Sequence, residues 1–327
     1  MDKLKILRNI ILIIFLLLAV KVLYPHISDI QKLYAAKNSL NYFWIVIAIL
    51  SQLSQYVEDG IFTKLMFKLV NFRIKIKDTV RVASLDVFAT RLFPVGQLGP
   101  LAATFYFYHK FGIDYDAIIF LNFLYSVAGI SLMVLLLLIS LPTIPFSTFE
   151  IPVHLYLFIT VVIMVLISFT VLFLLIRVKD FHKKIFFYFS KFEWFKKVEQ
   201  ILGKVETYKN LFKNHKFRFI GYSFGKNLFY YLADIVTLEA CFLAFHVEPH
   251  ISLIIFAYII SQVAGALTLL PAGLGSTDAT LGIVFLSTNI NPGISVTVII
   301  LYRLISLILP FPLGILSYYS LKKEFKS

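Results

Sequence analysis

Four ionisable side chains inside apolar stretches carry most of the chemistry available to this sequence: Arg91, Arg303, Asp234 and Asp278. An ionised group deep in a bilayer costs about 2.5–3.5 kcal/mol on insertion scales, so each needs a partner or water. Arg91 precedes Pro94 by three residues, and Arg303 lies too deep in the last apolar stretch to snorkel. A guanidinium grips phosphate through a planar fork, which makes both arginines candidates for holding a lipid phosphate. The alternative is that each neutralises an acid, such as Asp86 or Glu58. Asp278 follows Gly275 by three residues and falls in the first turn of a short helix, where it caps free N–H groups and suits the dipole. It could otherwise pair with Arg303 until a headgroup breaks the pair, or carry a coupled proton. Gly96, Gly99, Gly273 and Gly275 permit tight turns and bare N–H donors that suit an anion; packing alone could also require them. Asp234 and Glu239 share one stretch with Lys226. They are five residues apart, on partly different faces, so one lysine cannot join both. Lys226, near one end of that stretch, is expected to snorkel. Asp86, Glu58, Asp59 and Glu239 are candidates for gating or coupling.

These residues need elements that place them in lipid. Of 327 residues, 59% are hydrophobic and 15% charged, with a mean hydropathy of +0.85. Soluble domains run at about 45–50% apolar and about 25% charged. The composition excludes a soluble enzyme and implies a polytopic, all-α membrane protein. Apolar stretches near the length of about 20 residues that crossing requires cover 6–24, 40–57, 117–141, 152–176, 219–245 and 294–321, which predicts six full spans. The second is expected to continue as helix toward residue 70. No small-residue cleavage site follows the first, so it reads as a span rather than a signal peptide.

Two further stretches are interrupted. Residues 80–107 are broken at Pro94, Gly96, Gly99 and Pro100, and 251–286 at Pro271, Gly273 and Gly275. The arms of the first, about 14 and 10 residues, are too short to cross separately. Broken backbone at membrane depth needs cover from protein or a water-filled cavity, which predicts two re-entrant hairpins with breaks near 92–100 and 270–276. Lys/Arg cluster before the first span, between residues 64 and 81, between 177 and 218, and at the end of the chain, while the alternate loops are poor in them. Both termini are therefore expected on the cytoplasmic side. If both segments return to the side they entered, the hairpins open from opposite faces; the alternative is that 251–288 crosses twice, which also leaves the C-terminus inside. Leu92-Phe93-Pro94-Val95-Gly96-Gln97-Leu98-Gly99, then Ala103-Thr104, resembles Leu269-Leu270-Pro271-Ala272-Gly273-Leu274-Gly275, then Ala279-Thr280. Paired interruptions of opposite orientation point to an inverted repeat with a site near the midplane. The chain divides accordingly into a first span and outer loop (1–39), a first repeat-like half (40–176), a basic amphipathic interfacial helix (177–217) and a second half (218–327).

Other chemistry is excluded or unsupported. The net charge of +13 sits in loops, where it suits anionic lipid and orientation rather than nucleic acid. The single cysteine, Cys241, allows no intrachain disulfide and no cysteine zinc site. The sequence has no nucleotide-binding glycine turn and no metalloprotease helix. His246 and His250 are separated by Pro249 and make an unlikely helical metal pair. No metal and no cofactor are expected.

The quoted turn motifs, with His109-Lys110-Phe111-Gly112-Ile113, Leu270-Pro271-Ala272-Gly273-Leu274-Gly275-Ser276-Thr277-Asp278-Ala279 and Tyr302-Arg303, resemble the membrane domain of lysylphosphatidylglycerol synthases, which also occurs as stand-alone flippase-like proteins. The resemblance covers most of the chain. Ala272 stands where the family often has Gly, and Asp278 where it often has Glu, one methylene longer. The resemblance implies movement of a lipid between leaflets. The substrate class stays open among phospholipids, aminoacylated phospholipids and polyprenyl-linked lipids. The chain ends directly after its last span, so tRNA-dependent aminoacyl transfer is expected to be absent. The expected function is a lipid translocase of the cytoplasmic membrane, with Arg91, Arg303, Asp278, Asp234 and the four turn glycines at its site. Its expected partners are anionic membrane lipids, and a second copy or an envelope-lipid synthase. The rival readings are a membrane-embedded transferase on a lipid-linked substrate, and a non-transporting partner of such a synthase.

Overall fold

Helix α1 (Tyr42–Leu69) is built inside out. Phe43, Val46, Leu50, Val57 and Ile61 are exposed, while Gln52, Gln55, Gly60 and Thr63 are buried. Lipid selects this arrangement, because its apolar tails solvate the exposed stripe and leave polar groups to satisfy one another inside the bundle. The computed structural model describes residues 40–92, 98–143, 208–268, 275–288 and 290–325, and all regular structure among them is helical. After α1 come α2 (Ile76–Leu92), α3 (Leu98–Lys110), α4 (Tyr115–Ser140) and a 3-10 turn (Leu141–Thr143). The second part holds α5 (Lys209–Ala244), α6 (Ile251–Thr268), α7 (Ser276–Leu286) and α8 (Pro292–Arg303), then a π-helical turn (Leu304–Ile308) and α9 (Pro310–Glu324).

Three of these helical runs are long and apolar enough to cross a membrane: Tyr115–Thr143, Leu211–Ala244 and Pro292–Glu324. They correspond to three of the six expected spans. The spans expected at 6–24 and 152–176 lie outside the described residues. The span expected at 40–57 falls in α1 from Tyr42 onward, and the helix has the length, at 28 residues. Gln52, Gln55, Glu58 and Asp59 lower its apolar character.

Helices α1 and α5 form an antiparallel spine. The Asn41 N–H donates to the Ala244 carbonyl at 2.9 Å, and the Ser51 hydroxyl to the Ala233 carbonyl at 3.0 Å. Further along, Phe62 lies over Gly225, where a side chain would collide with its ring. Both interrupted stretches fold into helix pairs packed on themselves, α2 with α3 and α6 with α7. Their arms are 17 and 13, and 18 and 11 residues; the first pair is thus longer than the interruption suggested. The turns at 93–97 and 269–274 lie outside the described residues. Each pair also packs on the other half of the chain: α2 on α9, and α6 on α4.

Small residues set these approaches, as packing inside a bilayer favours. Gly60 of α1 abuts the backbone of Val80, and Gly314 of α9 abuts Phe88, so α2 is held closely on two sides. Helix α5 kinks at His215, where the backbone leaves helical geometry (φ −125°), separating its first residues from the spanning part. Most of the interfacial helix expected over 177–217 lies outside the described residues. The apolar interior falls into two clusters. One gathers Leu238, Phe242, Ile254, Tyr258, Phe285 and Tyr302; the other gathers Met66, Phe67, Ile118, Leu121, Phe219 and Leu321. Along α1 the first cluster includes Ala48 and the second begins at Met66. The residues between them, Gln52, Gln55, Glu58, Asp59 and Thr63, are the polar ones.

Candidate functional site

The ends of α7 and α8 bring two of the sequence-predicted residues together. Gly275 takes φ +84°, in the left-handed region that glycine adopts without strain, and opens α7. Three residues on, Oδ2 of Asp278 accepts a hydrogen bond from the Gly275 N–H at 3.0 Å. Its other oxygen, Oδ1, pairs with Nε of Arg303. Asp278 thus performs both roles its position allowed, helix capping and pairing with Arg303. The side chains are 12% exposed for Arg303 and 24% for Asp278, shielded but reachable. Arg303 is the last residue of α8, directly before the π-helical turn. Such wide turns recur at functional positions. Here the turn also precedes Pro310, whose ring would clash with a carbonyl one turn back in a regular helix.

A second polar group surrounds a cavity of about 30 Å³, room for roughly two waters. Its lining includes Asp59 and Thr63 of α1, Asp86 of α2, Thr104 of α3, Tyr125 of α4 and Lys226 of α5. Lys226 pairs with Asp59 at 3.0 Å and lies over the Tyr125 ring, 4.0 Å from its centre. Asp59 also accepts from the Thr63 hydroxyl at 3.0 Å. Asp86 accepts from the Thr104 hydroxyl at 2.6 Å, which ties α2 to α3. Lys226 therefore does not snorkel: an acid and an aromatic face inside the bundle hold it.

Asp234 is fully buried. It accepts from Gln52 at 2.7 Å, Gln55 at 2.9 Å and Tyr258 at 2.7 Å, from two neighbouring helices. Three donors satisfy much of a carboxylate's accepting capacity and fasten α5 to α1 and α6. Glu239 is half-buried toward the end of α5. Glu58 is half-buried, and one of its carboxylate oxygens is buried without a hydrogen-bond partner among the described residues. Arg91 is the next-to-last residue of α2 and Gly99 falls in the first turn of α3. The side-chain surroundings of Arg91, and Gly96 and Gly273 altogether, lie outside the described residues.

The sequence reading missed Thr63, Tyr125 and Lys226 as site residues. Thr63 stands four residues after Asp59, a spacing that puts both on one helix face and could have flagged it. Thr104 was visible only as part of the repeated Ala-Thr pair. No local pattern announces that Lys226 meets Asp59, because the two are on different helices. Among the described residues there is no group of three or more histidine, cysteine or acidic side chains placed to hold a metal.

Exposed apolar stripes and ion pairs inside the helix bundle define an integral, multi-pass membrane protein. The chain belongs to the lysylphosphatidylglycerol synthase transmembrane-region family, whose model matches residues 6–314. It is 29% identical over 128 residues to the UPF0104 membrane protein MJ1595 of Methanocaldococcus jannaschii, a match that spans 38% of this chain and 38% of that relative.

Proposed function

We propose that this protein moves a phosphate-bearing lipid between the leaflets of the cytoplasmic membrane. The Arg303–Asp278 pair carries the reading. A guanidinium paired with an acid, partly exposed where the end of α8 meets the opening of α7, is poised to exchange that carboxylate for a phosphate. The exchange keeps the guanidinium paired in both states, and the displaced Asp278 retains the Gly275 N–H that it caps. Backbone N–H groups at the opening of α7 add donors suited to an anion. Arg91, at the end of the other interrupted pair, is the proposed second phosphate ligand.

The proposed threading has both termini in the cytoplasm, six spans and two opposed re-entrant hairpins. Two packing relations support the inverted repeat: α2 on α9 mirrors α6 on α4, and the spine pairs α1 with α5. Asp234 belongs to the fixed part of this machine, and the two hairpins to the part that rearranges.

Reconstituted protein with fluorescent phospholipids of varied headgroup, quenched chemically from outside, tests the reading. Protein-dependent lipid movement is expected. Arg303→Ala should slow it at least about ten-fold, the effect of roughly 1.4 kcal/mol. Arg303→Lys should fall between, because it keeps the charge and loses the fork. Unchanged movement in a folded Arg303→Ala protein removes Arg303 from the mechanism. No movement with zwitterionic, anionic, aminoacylated or polyprenyl-phosphate lipids removes the translocase reading.

A further inference from the structure

The cavity between α1, α2, α3, α4 and α5 has an electrostatic imbalance. Its wall carries two carboxylates, Asp59 and Asp86, against one ammonium, Lys226. Asp59 and Lys226 neutralise each other at 3.0 Å. Asp86 has a hydroxyl donor, Thr104, and no cationic partner among the described residues. Tyr108 of α3 and Tyr125 of α4 are the remaining titratable groups on the wall, and no α9 residue lines it. A second carboxylate so enclosed needs a positive charge.

We propose that Asp86 is a proton-binding site that couples the α2–α3 pair to the α1–α5 spine. A proton suits the cavity better than a metal cation. The space is about 30 Å³; the Lys226 ammonium already occupies the cationic position, and a sodium-sized ion would need several oxygen ligands beside that charge. The coupling is electrostatic and local. Ionised Asp86 on α2 is attracted by Lys226 on α5, which draws the helix pair onto the spine. Protonated Asp86 loses that attraction, while its hydroxyl becomes a donor. The proton adds to one carboxylate oxygen and leaves from it again, by way of a cavity with room for roughly two waters. The assignment extends the translocase reading by naming its coupling ion, but proton occupancy is measured without any transport.

Infrared difference spectra of the full-length protein in lipid, recorded across pH, read the carboxyl directly. A protonated-carboxyl band that grows as pH falls, disappears in Asp86→Asn and returns in Asp86→Glu is expected. Thr104→Val should shift the band's frequency by removing its hydrogen-bond partner. A band unaffected by Asp86→Asn, or none across the range, overturns the proposal. A band that sodium displaces at fixed pH makes the site a sodium site and also overturns it. Thermal unfolding of each variant identifies any that fails to fold, and in that case Asp86→Glu and Thr104→Val still decide the assignment. In proteoliposomes, lipid movement by the unaltered protein should respond to a pH gradient, and Asp86→Asn should lose the response. No lipid movement by the unaltered protein would sink the translocase reading while leaving the infrared result intact.

Discussion

At the scale of single residues, pairing decides what an ion in lipid can do. Two of the described inter-helix ion pairs, Lys226–Asp59 and Arg303–Asp278, differ in what surrounds them. Lys226 is braced by Asp59, Thr63 and Tyr125. Replacing it with Met strands Asp59, at a cost on the order of 3 kcal/mol. A Lys226→Met/Asp59→Asn double variant should recover much of that loss, and a double-mutant cycle by thermal unfolding in detergent checks it. In the proposed translocase, Asp278 competes with a phosphate for Arg303. Asp278→Asn keeps an oxygen able to cap Gly275 and removes the competing charge. It should therefore tighten binding of a phosphate-headgroup lipid by about ten-fold, measured by native mass spectrometry or fluorescence titration. Weaker binding would show that Asp278 assists the anion. The Asp278–Arg303 pair was legible because both lay in apolar stretches beside recognisable punctuation: a glycine turn before one, depth in a span around the other. The Lys226–Asp59 pair was not, because charge in a sequence has no partner until helices are placed.

At the scale of helices, close approach is specified by glycine and limited by shape. Helix α2 lies between Gly60 of α1 and Gly314 of α9. Gly314→Leu should push α9 off Phe88 and destabilise by about 1–3 kcal/mol, the usual range for overpacking. Gly221→Ala meets nothing within 4 Å and should be neutral or stabilising by up to about 1 kcal/mol through helix propensity. Thermal unfolding of the two variants separates a packing glycine from a free one. Helix positions were largely legible: periodic apolar residues and Pro/Gly interruptions located α4, α5 and both interrupted pairs. The packing glycines were not, because Gly60 and Gly314 look like any other glycines in apolar stretches. The polar run in α1 carries no sign of its partners in the sequence. Its glutamines face α5, and this inversion becomes visible only with the neighbour in place.

At the scale of the whole molecule, the charge asymmetry of the loops predicts the threading. Cys241 is buried, so Cys241→Ala gives a cysteine-free background. Lys75→Cys in the α1–α2 connection should react only with reagents on the cytoplasmic side, and Glu248→Cys in the α5–α6 connection only from outside. The reverse pattern would invert the topology and place the Arg303 end of the site on the opposite leaflet. Charge counting supplies the orientation that this labelling tests. It could not show that α2 crosses to α9 and α6 to α4, because those contacts join residues from separate halves of the chain.

The wide turn at Leu304–Ile308 has a consequence of phase. A π-type turn carries an additional residue within an otherwise α-helical run, and one residue corresponds to about 100° of rotation around a helix. Everything beyond Ile308 is therefore turned relative to a helix running straight on from Arg303. That offset aims Gly314 at Phe88, and puts Ser320 and Glu324 beside Arg81 at 2.9 and 2.6 Å. Deleting one residue from the turn would restore the α-helical winding and swing all three contacts off their partners together. The last helix is thus clocked by five residues that adjoin Arg303 at one end and set the grip on α2 at the other.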